Sequence, residues 1–209
     1  MNTSDQGLLI VVSGPAGVGK GTIDAALLAR NADMRMSVSA TTRKPRPNEI
    51  DGVHYFFKSE DAFRRMIEQD AFLEYMHVFH THYYGTPKSF VAEELALGHS
   101  VILEIDVQGG LNIKKAYPEA VLVFIAPPSR SVLKARLIGR GTETPEAIEK
   151  RFGTAFEEIN RALEYDYVVV NDVLDIAVTR MESIVSAEKC KVARNRALFD
   201  KLIGGTTQP

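Results

Sequence analysis

Near its start the chain carries GPAGVGKGT, Gly14 to Thr22, with the spacing Gly14-x4-Gly19-Lys20. That spacing suits a loop that cradles phosphates. Gly14, Gly17, Gly19 and Gly21 let backbone N–H groups turn inward and approach an anion closely. Pro15, Ala16 and Val18 complete the loop. A helix beginning at Lys20 would aim the positive end of its dipole at the same point. Lys20 itself adds a full cation for the β and γ phosphates of a nucleoside triphosphate. Gly21 stands where the motif asks for a hydroxyl, and Thr22 follows one step later. Mg²⁺ arriving with the nucleotide is therefore expected to be held mainly by water and nucleotide phosphates, in keeping with its reluctance to dehydrate. A tight turn with no ligand is the plain alternative.

A second set of phosphate-binding types lies in SATTRKPRP, Ser39 to Pro47, where Arg43 and Arg46 sit among prolines. Arginine takes phosphate as a bidentate fork, and Pro45 and Pro47 hold the segment extended. Tyr55, Tyr83 and Tyr84 offer phenol hydroxyls to complete a phosphate's coordination, and Glu74 can accept paired N–H donors from a base edge. A solvated basic loop and a solvated strand glutamate are the alternatives for these residues.

The elements that must position these groups read from the apolar pattern. Leu8–Ser13, Val101–Asp106, Val121–Ala126 and Tyr167–Asn171 are short runs of the type buried on both faces in a parallel sheet. Helical periodicity spans Lys20–Arg30, Lys88–Leu97, Ser129–Ile138, Pro145–Glu164 and Val173–Lys189. The alternation predicts an α/β fold with a parallel-sheet core flanked by helices. Residues 39–87 break the rhythm. They carry prolines and aromatics, a helical piece at Ser59–Gln69, and strand signals at Val53–Lys58 and Leu73–Val78, and they read as an insertion with its own small sheet. Gly139–Thr144 reads as an exposed, mobile loop. Glu104 and Asp106 occupy alternate positions of one strand and share a face, and Asp106 has a place after an apolar run where a metal-linked role is open.

Composition limits the function classes. The chain has 209 residues, 45% hydrophobic, and a net charge of -2. It can build one sizeable core, and its charge gives no whole-protein case for nucleic acid or an acidic membrane. Any anion site must be local. The lone cysteine, Cys190, excludes an intrachain disulfide and suits a reducing compartment. The first residues lack an apolar leader core, and no early apolar run approaches a membrane span. The expectation is a cytoplasmic protein.

The segments GPAGVGKGT, VSATTRKPRPNEIDGVHYFF, FLEY, YYGTP, LEIDVQG, APPS, RGTET and VVND occur in the order found in guanylate kinases. The chain resembles that family from about Leu8 to Glu188. The resemblance implies transfer of the γ-phosphate of MgATP to GMP, giving ADP and GDP, in purine nucleotide metabolism and GMP recycling. dGMP is a permitted acceptor on the same reading. The implied organisation is a core (7–38, 88–138, 154–189), a mixed α/β GMP-binding region (39–87), a mobile lid (139–153) and a C-terminal extension (190–209). The loop from Gly14 to Thr22 would hold ATP together with Arg136, Arg140 and Asn171. Arg43, Arg46, Tyr55 and Tyr84 would hold the GMP phosphate, and Ser39, Glu74, Thr86 and Asp106 would read guanine. Lys20, Arg43, Arg140 and Arg151 would neutralise charge on the transferring phosphoryl group. Asn171 also fits a turn former at a strand end, and Arg136 with Arg140 fits a solvated cationic stripe.

Some residues depart from the family pattern. Ala16 replaces the usual serine. VFHTHYYG is one residue longer than usual, with His80 and His82 beside the acceptor region, which leaves the placement of Tyr83 and Tyr84 open. Together with His54 and His77 these histidines have no compelling ligand spacing, so no protein metal site is expected. Two other readings stand beside the leading one: a related kinase with a different acceptor, and a binding module that keeps the fold without turnover. The oligomeric state is open between monomer and homo-oligomer.

Overall fold

The computed structural model describes residues 7–78, 81–139 and 145–204, with only the backbone described for residues 145–148 and 150. Nine strands and eight α-helices are seen among these residues. In chain order they are β1 (Leu9–Ser13), α1 (Lys20–Arg30), β2 (Met34–Met36), β3 (Ala40–Thr41), β4 (Phe56–Phe57) and α2 (Glu60–Glu68). Next come β5 (Phe72–Val78), β6 (His82–Pro87), α3 (Lys88–Ala96), β7 (Ser100–Glu104), α4 (Val107–Ala116) and β8 (Val121–Ala126). The chain finishes with α5 (Arg130–Gly139), α6 (Pro145–Arg161), β9 (Tyr167–Val170), α7 (Leu174–Lys189) and α8 (Arg196–Ile203).

Five strands form a sheet in the order β2-β7-β1-β8-β9, and every pairing in it is parallel. β1 lies at the centre and all of its residues are buried. Successive side chains of a strand leave by opposite faces, so this one strand feeds two cores. Ile10 and Val12 join Ile23 and Leu27 of α1 and Val178 and Met181 of α7. Leu9 and Val11 join Val91 of α3 and Leu111 and Ile113 of α4. Each fully buried branched side chain is worth about 1.5–3 kcal/mol relative to exposure. The sheet is thereby fixed between two helical layers, and its carboxyl edge becomes the place where loops can hold ligand.

Residues 40–87 contain a separate sheet in the order β4-β3-β6-β5, with one parallel and two antiparallel pairings. Its small core holds Ala40, Phe63 and Phe72, with the Phe63 and Phe72 rings stacked at 4.4 Å. Ser59 caps α2 by accepting from the Ala62 N–H, which satisfies a donor that has no partner within the helix.

The structure corrects the sequence reading at Asp106. The strand ends at Glu104, and Asp106 is the N-cap of α4, its Oδ1 accepting from Gly109 N at 2.9 Å. The carboxylate terminates the strand because it meets the free donors of the next helix. No helix among the described residues is long and apolar enough to cross a membrane.

Candidate active site

The loop after β1 turns on glycine. Gly14, Gly17 and Gly19 have φ of 149°, 83° and 95°, and a Cβ on Gly14 would lie 2.3 Å from the Ile125 carbonyl oxygen. Asn171, at the end of β9, donates from Nδ2 to Val18 O at 2.8 Å. Arg136 donates from Nη1 to the same oxygen at 3.3 Å and from Nη2 to Asn171 O at 3.0 Å. Both side chains clamp the loop from behind, a role that local sequence does not signal. Ala16 packs against Leu133, Leu137 and Ala155. The departure from serine thus gives the loop an apolar contact with α5 and α6.

Lys20 opens α1 and donates from Nζ to Gly14 O at 2.7 Å, while Glu104 Oε1 lies 4.0 Å away. Asp24, one turn further along α1, is fully buried, with no donor in reach of either oxygen. Burial, then repulsion from Glu104, pushes Asp24 up to about 8 against the pull of Lys20. Glu158 on α6 is raised as well, first by burial, with Lys20 lowering it and Asp106 adding to the rise. Neither Asp24 nor Glu158 stood out in the sequence, because each role comes from partners distant along the chain.

Beside this loop, Ser39, Tyr55, Glu74, Tyr84, Glu104 and Asp106 line a pocket of about 240 Å³ with Met76, Val78, Gly85 and Ile105. Glu74 of β5 lies opposite Thr86 of β6, and the buried Thr86 hydroxyl donates to Glu74 Oε1 at 2.9 Å. Oε2 is not the acceptor in that bond and lies 3.5 Å from where a Gly109 Cβ would stand. Burial, first, and the Asp106 charge push Glu74 up to about 7, while the Thr86 hydrogen bond pulls it down.

Alternation along β6 settles the two tyrosines. Tyr83 stacks on Phe63 and His77 at 5.4 and 4.2 Å, in the insertion's own core. The Tyr84 hydroxyl receives Arg43 Nε at 3.2 Å, and its ring meets Tyr55 edge-on at 6.0 Å. Burial raises the Tyr55 phenol, so it keeps its proton and can donate. Arg43 also binds Glu49 through Nη1 and Nη2, both at 2.9 Å. Arg46 is exposed, and its backbone N–H donates to Glu49 at 2.6 Å. Arg151 lies exposed on α6, whereas Arg140 and His80 lie outside the described residues.

The glycine loop with its lysine therefore adjoins, through Glu104, a pocket lined by two phenols that Arg43 contacts. A sequence model described as guanylate kinase matches residues 6–188. The chain is 54% identical over 202 residues to a guanylate kinase of Caldanaerobacter subterraneus subsp. tengcongensis, covering 97% of this chain and 98% of that one. This chain belongs to the guanylate kinase family. The guanylate kinase of Halalkalibacterium halodurans is 49% identical over 199 residues, covering 95% and 97% of the two chains. The crystal structure of guanylate kinase from Anaplasma phagocytophilum has a TM-score of 0.75 at 29% identity, covering 94% and 95%. That structural match spans nearly the whole of both chains.

Proposed function

We propose that the two sites form one phosphoryl-transfer centre, in which this guanylate kinase moves the γ-phosphate of ATP onto GMP. The observation that carries the reading is Glu104, which lines the base-sized pocket and also stands 4.0 Å from Lys20. One side chain spans both sites, so donor and acceptor would meet end to end. Gly14 to Thr22 would hold the ATP phosphates, with Lys20 leaving Gly14 O for the transferring group. Arg136 and Asn171 would keep that loop in shape. Arg43, Arg46, Tyr55 and Tyr84 would hold the GMP phosphate.

Glu74 would read guanine. Guanine offers an N1–H and an exocyclic amine side by side, and ionised Glu74 can accept both while Ser39, Thr86 and Asp106 complete the rim. Adenine lacks that donor pair and would leave a partly buried carboxylate unmatched, which a site built on hydrogen bonds rejects strongly. Transfer of a phosphoryl group relies on positioning and charge neutralisation more than on a general base. Lys20, Arg43, Arg140 and Arg151 are the cations for that task, and closure of the lid (139–153) and the GMP-binding region (39–87) over the core would exclude water.

The surroundings of Gly21 fit hydrated Mg²⁺ brought in with ATP. Gly21 has no hydroxyl, and Glu104 Oε2 lies 3.5 Å from the position its Cβ would take. Glu104, with Asp24 behind it, would accept hydrogen bonds from water on the metal. Bound Mg²⁺ would supply charge neutralisation on the ATP phosphates. A cytoplasmic setting and work on ATP, GMP and dGMP as the small-molecule partners, without nucleic acid or membrane, go with this reading. A coupled assay with GMP, dGMP, AMP and UMP tests it. GMP should be the best acceptor by a wide margin. Comparable turnover with AMP or UMP would sink the assignment of Glu74, and no turnover with any acceptor would favour a binding module.

A further inference from the structure

Glu49 touches the proposed acceptor-phosphate site, yet nothing in the mechanism uses it. Its place follows from counting the five N–H groups of Arg43. Nη1 donates one to Lys44 O at 2.7 Å and one to Glu49 Oε2 at 2.9 Å. Nη2 donates one to Glu49 Oε1 at 2.9 Å. The end of the guanidinium fork is thus filled by a bidentate carboxylate. The side edge is formed by Nε–H, which donates to the Tyr84 hydroxyl at 3.2 Å, and by the second Nη2–H; an incoming phosphate would take over the Nε–H bond with Tyr84 at its side. That edge is itself a two-pronged donor suited to a phosphate.

Glu49 is fixed in turn. Its Oε2 also accepts from Arg46 N at 2.6 Å, and its own N–H donates to Arg46 O at 3.1 Å. Asn48 makes this turn possible by adopting φ of 72°, a left-handed conformation that asparagine tolerates better than most residues. The Arg43 guanidinium also lies 5.3 Å from the Tyr55 ring centre and 5.8 Å from that of Phe57. In a segment of largely exposed residues, the side chains of Arg43 and Glu49 are only 14% and 17% exposed. The two carboxylate oxygens are therefore spent on Arg43 and the turn, and Arg43 is ordered before any ligand arrives.

We propose that Glu49 is a positioning residue for the acceptor phosphate: it fills the end of the Arg43 fork so that the Nε–Nη2 edge, beside Tyr84 and Tyr55, faces the phosphate of GMP. The inference rests on the reading that Arg43 binds that phosphate. A long arginine side chain gives up much rotamer freedom when ordered. With Glu49 present that loss is met on folding, so less is charged to binding. A simpler electrostatic picture gives the opposite sign. If Glu49 were only an anion competing for Arg43, its removal would tighten GMP binding.

Calorimetric titration of GMP and of guanosine into wild type, Glu49→Gln, Glu49→Asp and Arg43→Ala separates the cases, with melting curves as folding controls. Glu49→Gln should weaken GMP about three- to tenfold, the range that one newly mobile side chain accounts for. Guanosine, which lacks the phosphate, should bind as to wild type. Glu49→Asp keeps the charge but is a methylene short of a bidentate contact, and it should weaken GMP as well. KM for GMP should follow these shifts while KM for ATP holds. Tighter or unchanged GMP binding in Glu49→Gln overturns the proposal, as does a wild-type Glu49→Asp or an equal loss for GMP and guanosine. If Arg43→Ala leaves the preference for GMP over guanosine intact, the underlying reading of Arg43 fails instead.

Discussion

Glu74 gives the sharpest link from structure to a measured curve. Only the carboxylate can accept both guanine donors, and burial with the nearby Asp106 charge has pushed Glu74 up to about 7. In the free enzyme about one-tenth of Glu74 is then ionised at pH 6 and about nine-tenths at pH 8. An affinity that requires the ionised form is reduced by that fraction. GMP should therefore bind about tenfold tighter at pH 8 than at pH 6. The second proton of a phosphate monoester also leaves near pH 6, so a reference is needed. Glu74→Gln supplies it, since the amide keeps the shape and cannot titrate. That variant should weaken GMP by about 2–3 kcal/mol, roughly 30- to 150-fold, through loss of charged hydrogen bonds. Its remaining pH dependence should be that of the phosphate alone. The assay is calorimetric binding of GMP at half-unit steps from pH 6 to pH 8, with ATP binding as the control. Parallel curves for wild type and Glu74→Gln would refute the argument, because the titrating group would then not be Glu74.

The same raised pKa fixes a sign for stability. Glu74 binds its proton more tightly when folded than at its ordinary value of 4.5, so stability is lost as pH rises from there towards about 7. Glu74→Gln should be relatively more stable at pH 8 than at pH 5 in denaturant titrations, and a constant difference would contradict this. Lys20→Ala should lower kcat by about a thousandfold or more with GMP binding intact, and unchanged single-turnover rates would remove Lys20 from the transfer step. Glu188 is buried, and burial alone would raise it, but Lys191, Tyr167 and Arg194 hold it below the ordinary carboxylate range. Glu188→Ala should cost about 3–5 kcal/mol at pH 7 by leaving buried partners unmatched, and a loss below about 1 kcal/mol in chemical denaturation would show that these contacts carry little.

The sheet was legible because its strands are unbroken apolar runs, and β1, β7, β8 and β9 fall within a residue or two of the runs in the sequence. β2 was not, since Met34–Met36 is three residues with a central arginine at the sheet's edge. α4 was also missed. Gly109 and Gly110 weaken its local helix signal, and the helix is held by burial of Val107, Leu111 and Ile113 together with the Asp106 cap. β3 has two residues, too few for any period. At the site, loop spacing pointed to Lys20, and the family resemblance singled out Arg43, Glu74 and Tyr84, of which Glu74 and Tyr84 line one pocket and Arg43 bonds to Tyr84. Glu49, Asp24 and the clamp of Arg136 and Asn171 on Val18 O stayed hidden, because a side chain's partner across the fold leaves no trace in its neighbours. Two basic residues near the C-terminal end are bonded to earlier segments of the chain. Lys189 reaches Asp33 at 2.7 Å and Arg194 reaches Glu119 O at 2.7 Å, so the turn after α7 is pinned to the core.

A crystal structure with a bisubstrate nucleotide, adenosine and guanosine joined through a phosphate chain, tests the central claim most directly. The account predicts guanine N1–H and its amine on Glu74, the guanosine-side phosphate on Arg43, Tyr55 and Tyr84, and the remaining phosphates over Gly14–Thr22 with Lys20. Adenine against Glu74, or a guanosine-side phosphate out of reach of Arg43, would contradict it.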